Sequence, residues 1–259
     1  MIHRISTIAL HTFKQSVRDK VLYDLVVFAL LLIGASILFG KISVGVEQLI
    51  LVNLGLSAIA IFGLLIAIFI GISLVWREIE RRTLYNVLSK PVARWEFIFG
   101  KYLGLLLTLV ANTAIMAGGF FLALFFQARH APGLALGSLE AVYLILLELA
   151  LVVGVALLFS CISSPALAAL FTFCIFIIGN FLTDIRSFGH ATGSAPVEAL
   201  TTALFYLLPD FSDFHVISRV AHGNLIPAAQ MLSHSLYVLL YAAILISASI
   251  LIFEERELQ

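Results

Sequence analysis

Long apolar runs separated by short polar breaks dominate the chain, and their lengths predict its elements. Six runs stand out: Val21 to Phe39, Leu49 to Val75, Tyr102 to Phe126, Leu139 to Ser160, Ala166 to Leu182 and Leu232 to Phe253. An α-helix rises about 1.5 Å per residue, so about 20 apolar residues cover the hydrocarbon core of a bilayer. The second and third runs are long enough to cross at a tilt. The fourth and fifth form one apolar stretch broken only at Ser163-Ser164-Pro165, which predicts a tight turn between antiparallel spans. Backbone in lipid has no water to bond, so the runs are expected as helices; membrane-barrel strands would be shorter and would alternate.

Composition agrees with that pattern. Of 259 residues, 62% are hydrophobic and 12% charged, and the mean hydropathy is +1.11. Soluble domains carry about 25% charged residues. A chain this apolar has too few polar groups to cover a water-facing surface. Its solvent is lipid. The net charge is zero, so no global basic field points to nucleic acid. Length and pattern predict one integral-membrane domain over residues 1–259.

The placement of lysine and arginine then sets sidedness. Arg4, Lys14, Arg18 and Lys20 precede the first span. Arg77, Arg81, Arg82, Lys90, Arg94 and Lys101 lie between spans two and three, and Arg256 follows the last. The other side has only Lys41, Arg129, Arg186 and Arg219. By the positive-inside rule, both termini are expected in the cytoplasm, and the chain in a bacterial inner membrane. The basic residues before the first run could mark a signal peptide. The run is long and no small-residue cleavage site follows, so it reads as a retained span.

Residues 3–20 have two faces. Ile5, Ile8, Ala9, Phe13 and Val17 recur at helical spacing, while Arg4, His11, Lys14 and Arg18 cluster opposite. This predicts an amphipathic helix in the cytoplasmic interface; a basic tail that only marks sidedness is the plainer alternative. The segment 183–230 between spans five and six holds no clear span. Its apolar stretch Val197 to Leu208 is too short to cross and is expected to lie in the interface or to re-enter.

The most charge-dense segment is residues 76–100, read with the adjoining Lys101 as WREIERRTLYNVLSKPVARWEFIFGK. Glu78 and Glu80 followed by arginines predict a solvated helical stretch. Ser89-Lys90-Pro91 breaks it, because proline disfavours helix in the residue before it. A second short amphipathic helix carrying Trp95, Phe97, Ile98 and Phe99 is expected to lead into span three. The series Glu78, Glu80, Thr83, Leu88-Ser89, Pro91, Arg94 and Gly100-Lys101 resembles the first cytoplasmic loop of type-two ABC transporter permeases, the exporter class. The stretch Leu207-Leu208-Pro209-Asp210-Phe211, the N-terminal helix and the six-span layout are similar to that family too.

The resemblance implies a fold of six transmembrane helices with an interfacial N-terminal helix, a cytoplasmic coupling helix between spans two and three, and outer interfacial or re-entrant helices between spans five and six. It implies an ABC ATPase subunit as partner, a second permease copy or paralogue, and membrane lipids around them. Glu78, Glu80, Arg81 and Thr83 are then the residues expected to couple to the ATPase, with Arg94 and Lys101 as interfacial anchors. The plainer account is that these charges solvate the loop and fix topology. A P-loop needs a glycine five residues before its Gly-Lys pair and a serine or threonine after it. Here Trp95 and Tyr102 stand at those positions around Gly100-Lys101. No ATPase motif and no cofactor of its own are therefore expected in this chain; ATP and magnesium would be held by the partner.

Glu148 is the one charge deep within a span, and an intramembrane ionisable group is a functional candidate. Carried neutral, it would instead hydrogen-bond a neighbouring helix, with Asn112 and Thr113 at similar depth as partners. Both readings stand. Asp24 and Glu140 lie near span ends, where solvation explains them. Cys161 and Cys174 have no metal-ligand spacing and read as buried small hydrophobes. Asp210, Asp213, His215 and His222 are too loosely spaced for a metal site. Two other functions compete with an exporter subunit: an integral-membrane enzyme using Glu148 or the outer histidines, and an ATPase-coupled scaffold acting on a periplasmic partner.

Overall fold

A computed structural model of the chain describes residues 2–42, 46–80, 93–127 and 132–255. Among them the elements are helices: α1 (Ile2–Val17), α2 (Lys20–Ile42), α3 (Glu47–Glu80), α4 (Arg94–Gln127), α5 (Pro132–Ile162), α6 (Pro165–Asn180), α7 (Leu182–Thr192), α8 (Ala195–Leu207), a 3-10 turn (Ser212–Phe214), α9 (Ile217–Ala221) and α10 (Ala228–Glu255). Five of these, α2 to α5 and α10, are long and apolar enough to cross a membrane. A sixth crossing is available if α6 and α7, bent by 59°, form one span.

The bend has a local origin. Helix α6 starts where expected, with Ser164 extended at the N-cap and Pro165 in the first turn, where its missing N–H costs nothing. It stops at Asn180 because Phe181 leaves helical geometry, at φ −107° and ψ 9°. Sixteen residues reach only about 24 Å, short of a ~30 Å hydrocarbon core. Helix α6 alone therefore does not complete the expected fifth span.

Helices α3 and α5 form the centre of the bundle. Residues in their apolar windows are 67% and 72% buried, against 28% for α2 and 33% for α10. Apolar burial drives little association in lipid, so close backbone approach matters instead. Gly63 of α3 receives Leu149 of α5, and Gly71 receives Ala156. Residue numbers rise together across these contacts, so the two helices run parallel, as alternate members of a series of successive crossings must. Outside this core Cys174 is exposed, not buried as expected, whereas Cys161 is buried.

Two other expectations change. The aromatic segment around Trp95 is no separate helix: α4 runs unbroken for 34 residues from Arg94. Glu140 is not simply solvated, since its Oε2 accepts the Ile226 N–H at 2.8 Å and ties the segment before α10 to α5. Helices α7 and α8 form a hairpin turned by Gly193 at φ 63°, a left-handed conformation that suits glycine. Arg186 stacks 4.5 Å from the Phe205 ring across the hairpin, and His190 meets Glu198 at 2.9 Å.

Candidate functional site

Helices α3 and α4 flank residues 81–92 and together frame one end of the bundle. The first turns of α4 are unlike the lipid-facing helices around them. Glu96, acidic in the first turn, accepts the Ala93 N–H at 3.3 Å and so satisfies one of the donors that a helix start leaves open. It is buried, and Arg4 of α1 approaches it at 4.0 Å. One residue pair on, Arg94 Nη1 donates to the carbonyls of Phe253 and Glu254, at 3.1 and 2.9 Å. Those carbonyls close the last turn of α10, where oxygens lack helical partners and a cation is favoured. Phe97 stacks on Phe253 at 5.8 Å beside this cap.

Helix α1 is fitted to α4 by shape. Gly100 lies against Ile8, and Gly104 against Thr12 and the Ala9 backbone. The buried face of α1 is accordingly Ala9, Thr12 and Ser16, offset from the expected apolar stripe. Lys101, expected as an interfacial anchor, is buried to 1% exposure with its ammonium 5.5 Å from the Phe97 ring centre. Three elements distant in sequence thus meet within the first two turns of α4.

The second group lies mid-bundle. Glu148, near the centre of α5, is 7% exposed and lines a cavity of about 170 Å³ with Ala60, Leu64, Phe176, Phe214 and His215. No protein hydrogen bond to its carboxyl is present among the described residues. Asn112 does not serve as its partner: Asn112 donates to the Thr108 carbonyl of its own helix at 2.8 Å.

A family model described as ABC-2 family transporter protein matches residues 6–258. The chain belongs to the ABC-2 transporter family. Comparison with curated proteins gives no match. Membership makes it the membrane permease subunit of an ABC transporter, a class of subunit without its own ATPase and with an ABC ATPase as general partner.

In this ABC-2 permease Glu78 and Glu80 fall in the last turn of α3, while Arg81 and Thr83 lie outside the described residues. Arg94 and Lys101 both lie on α4, and no hydrogen bond joins Glu148 to Asn112 among the described residues. Among the described residues no group of three or more His, Cys, Asp or Glu could hold a metal. The Arg4–Glu96 contact escaped sequence reading. Glu96 sits in a greasy stretch, and the signal for its role is an acidic residue in the first turn of a helix.

Proposed function

We propose that this permease couples a separate ABC ATPase to outward movement of cargo across a bacterial inner membrane. Helix ends flanking residues 81–92 receive the motion of the ATPase dimer through Glu78, Glu80, Arg81 and Thr83. The observation that supports this most is the joining of α4 at its first turns to both α1 and the end of α10. A displacement applied beside Arg94 pulls two further elements with it, so the push on a loop becomes a movement of helices. Cargo passes between this chain and a second permease, copy or paralogue, with both termini cytoplasmic and lipid around the pair. ATP and magnesium stay on the ATPase.

Purifying the tagged chain from its native membrane tests the reading. An ABC ATPase should accompany it, and Glu78→Lys with Glu80→Lys should lower nucleotide hydrolysis by the complex. A clean preparation with no ATPase, or hydrolysis indifferent to both charge reversals, would sink it.

A further inference from the structure

The largest cavity described lies away from the coupling end, between α8, the segment after it and the first half of α10. It measures about 560 Å³. His234 on its wall is about 19 residues before Phe253, so the cavity is on the order of 28 Å from the Arg94 cap. Its chemistry is unusual for a helix that faces lipid. Tyr237 and Tyr241 of α10 and Phe214 supply aromatic walls, and Asp210 and Asp213 line the same space.

Three observations point to a positively charged occupant. First, Asp213 is exposed and has no hydrogen bond or ion pair among the described residues, whereas Asp210 Oδ1 takes the Ser212 N–H and hydroxyl at 2.9 and 2.6 Å. Second, the His234 ring lines the cavity at 8% exposure, and its Nε2 is buried without a hydrogen-bond partner. A buried unsatisfied nitrogen asks for a missing group. Third, the neighbouring rings already take a cation: Arg186 stacks on Phe205 and Tyr206, at 4.5 and 5.9 Å from their centres. Aromatic rings beside carboxylates hold organic ammonium groups through cation–π and ionic attraction. Ile244 of α10 lines the same cavity and is 63% exposed, so an apolar tail can remain in lipid.

We infer that this cavity binds an amphiphilic organic cation, its ammonium between Asp213 and His234 and its apolar body on Tyr237, Tyr241 and Phe214. The site is independent of ATPase coupling, because binding is read on the full chain without nucleotide.

The test uses the purified chain in nanodiscs of phosphatidylglycerol and an uncharged glycolipid, with tritiated tetraphenylphosphonium as tracer. Octylammonium should displace the tracer and octanesulfonate of the same chain length should not. Asp213→Asn should weaken octylammonium by about tenfold, the loss of one modest ionic contact, with an unchanged melting temperature, and Asp213→Glu should restore it. Adding phosphatidylethanolamine in place of the uncharged glycolipid, at a fixed phosphatidylglycerol content so that surface charge is constant, separates sources. Weaker tracer binding identifies a lipid headgroup as the native ammonium; unchanged binding identifies a non-lipid amine. Equal displacement by both competitors, or octylammonium binding indifferent to Asp213→Asn in a folded protein, overturns the inference.

Discussion

Arg94 Nη1 donates at 2.9 Å to the carbonyl of Glu254, a residue 160 positions later. The start of one long helix thereby closes the end of another. Neither group is strongly stabilising alone, since a cation at a helix C-terminus contributes about 0.3–1 kcal/mol. One guanidinium nitrogen, Nη1, donates to both carbonyls, and Phe97 on Phe253 stacks alongside, so α4 and α10 are tied at two points where they meet.

Arg94→Ala should therefore lower stability by only about 1 kcal/mol, yet reduce permease-dependent ATPase stimulation far more. Arg94→Lys keeps the charge but not the rigid planar group that holds Nη1 between the two carbonyls, and should recover stability better than coupling. Thermal melting of the solubilised complex and its hydrolysis rate, measured side by side, separate the two effects. Parallel loss in both would leave Arg94 as a simple cap.

Gly104→Ala should detach α1 from α4. A Cβ there would stand 2.6 Å from the Ala9 carbonyl oxygen and against Thr12, and backbone cannot step aside as a side-chain tip can. The expected cost is about 1–3 kcal/mol, in the range of overpacked cores, with α1 becoming open to proteolysis. Gly118→Ala is the control: nothing lies within 4 Å of its Cβ position, so it should be neutral or slightly stabilising. Equal behaviour of the two variants would show that α1 is not held this way.

Sequence pattern reached the helices well where a long apolar run had to satisfy its backbone in lipid. It reached the α5–α6 turn because Pro165 and Ser164 punctuate it locally. It failed where the signal was tertiary. The 59° bend at Phe181 follows Gly179-Asn180 without a proline, and the Gly179 carbonyl accepts the Phe211 N–H at 3.1 Å, a contact 32 residues away that no local pattern announces. The burial of Lys101 and Glu96 likewise depends on elements that arrive from either end of the chain. A helix is expected around Trp95 and a span from Tyr102, because charged residues argue against a span. The structure joins the two without a break: charged residues do not argue against a helix that extends beyond the span.

Glu140→Ala should loosen the segment leading into α10. The carboxylate is the acceptor for the Ile226 N–H, and removing it leaves a part-buried donor unmet at about 1–3 kcal/mol. Glu140→Gln keeps an acceptor and should lose less. Hydrogen exchange at Ile226 is the direct reading: faster in Ala, near wild type in Gln. No change in Ala would mean that water replaces the carboxylate fully.

Glu148 poses the sharpest choice between structure and transport. If its carboxyl held helices together it would need a protein partner, and among the described residues it has none. The cavity beside it, about 170 Å³, is several times the ~30 Å³ share of one liquid water. Water can therefore serve the carboxyl, and Glu148→Gln should keep stability within about 0.5 kcal/mol, as for changes that remove no contact. Glu148→Leu fills part of the space with apolar atoms and should be as stable as wild type or more so, because the buried polar group it removes has no protein hydrogen bond to lose. Both variants should bind the ATPase normally and fail to restore function to cells lacking the chain, since neither can take up and release a proton at that depth. A Leu variant destabilised by more than about 2 kcal/mol, in the range of a broken buried network, would assign the residue to the scaffold instead.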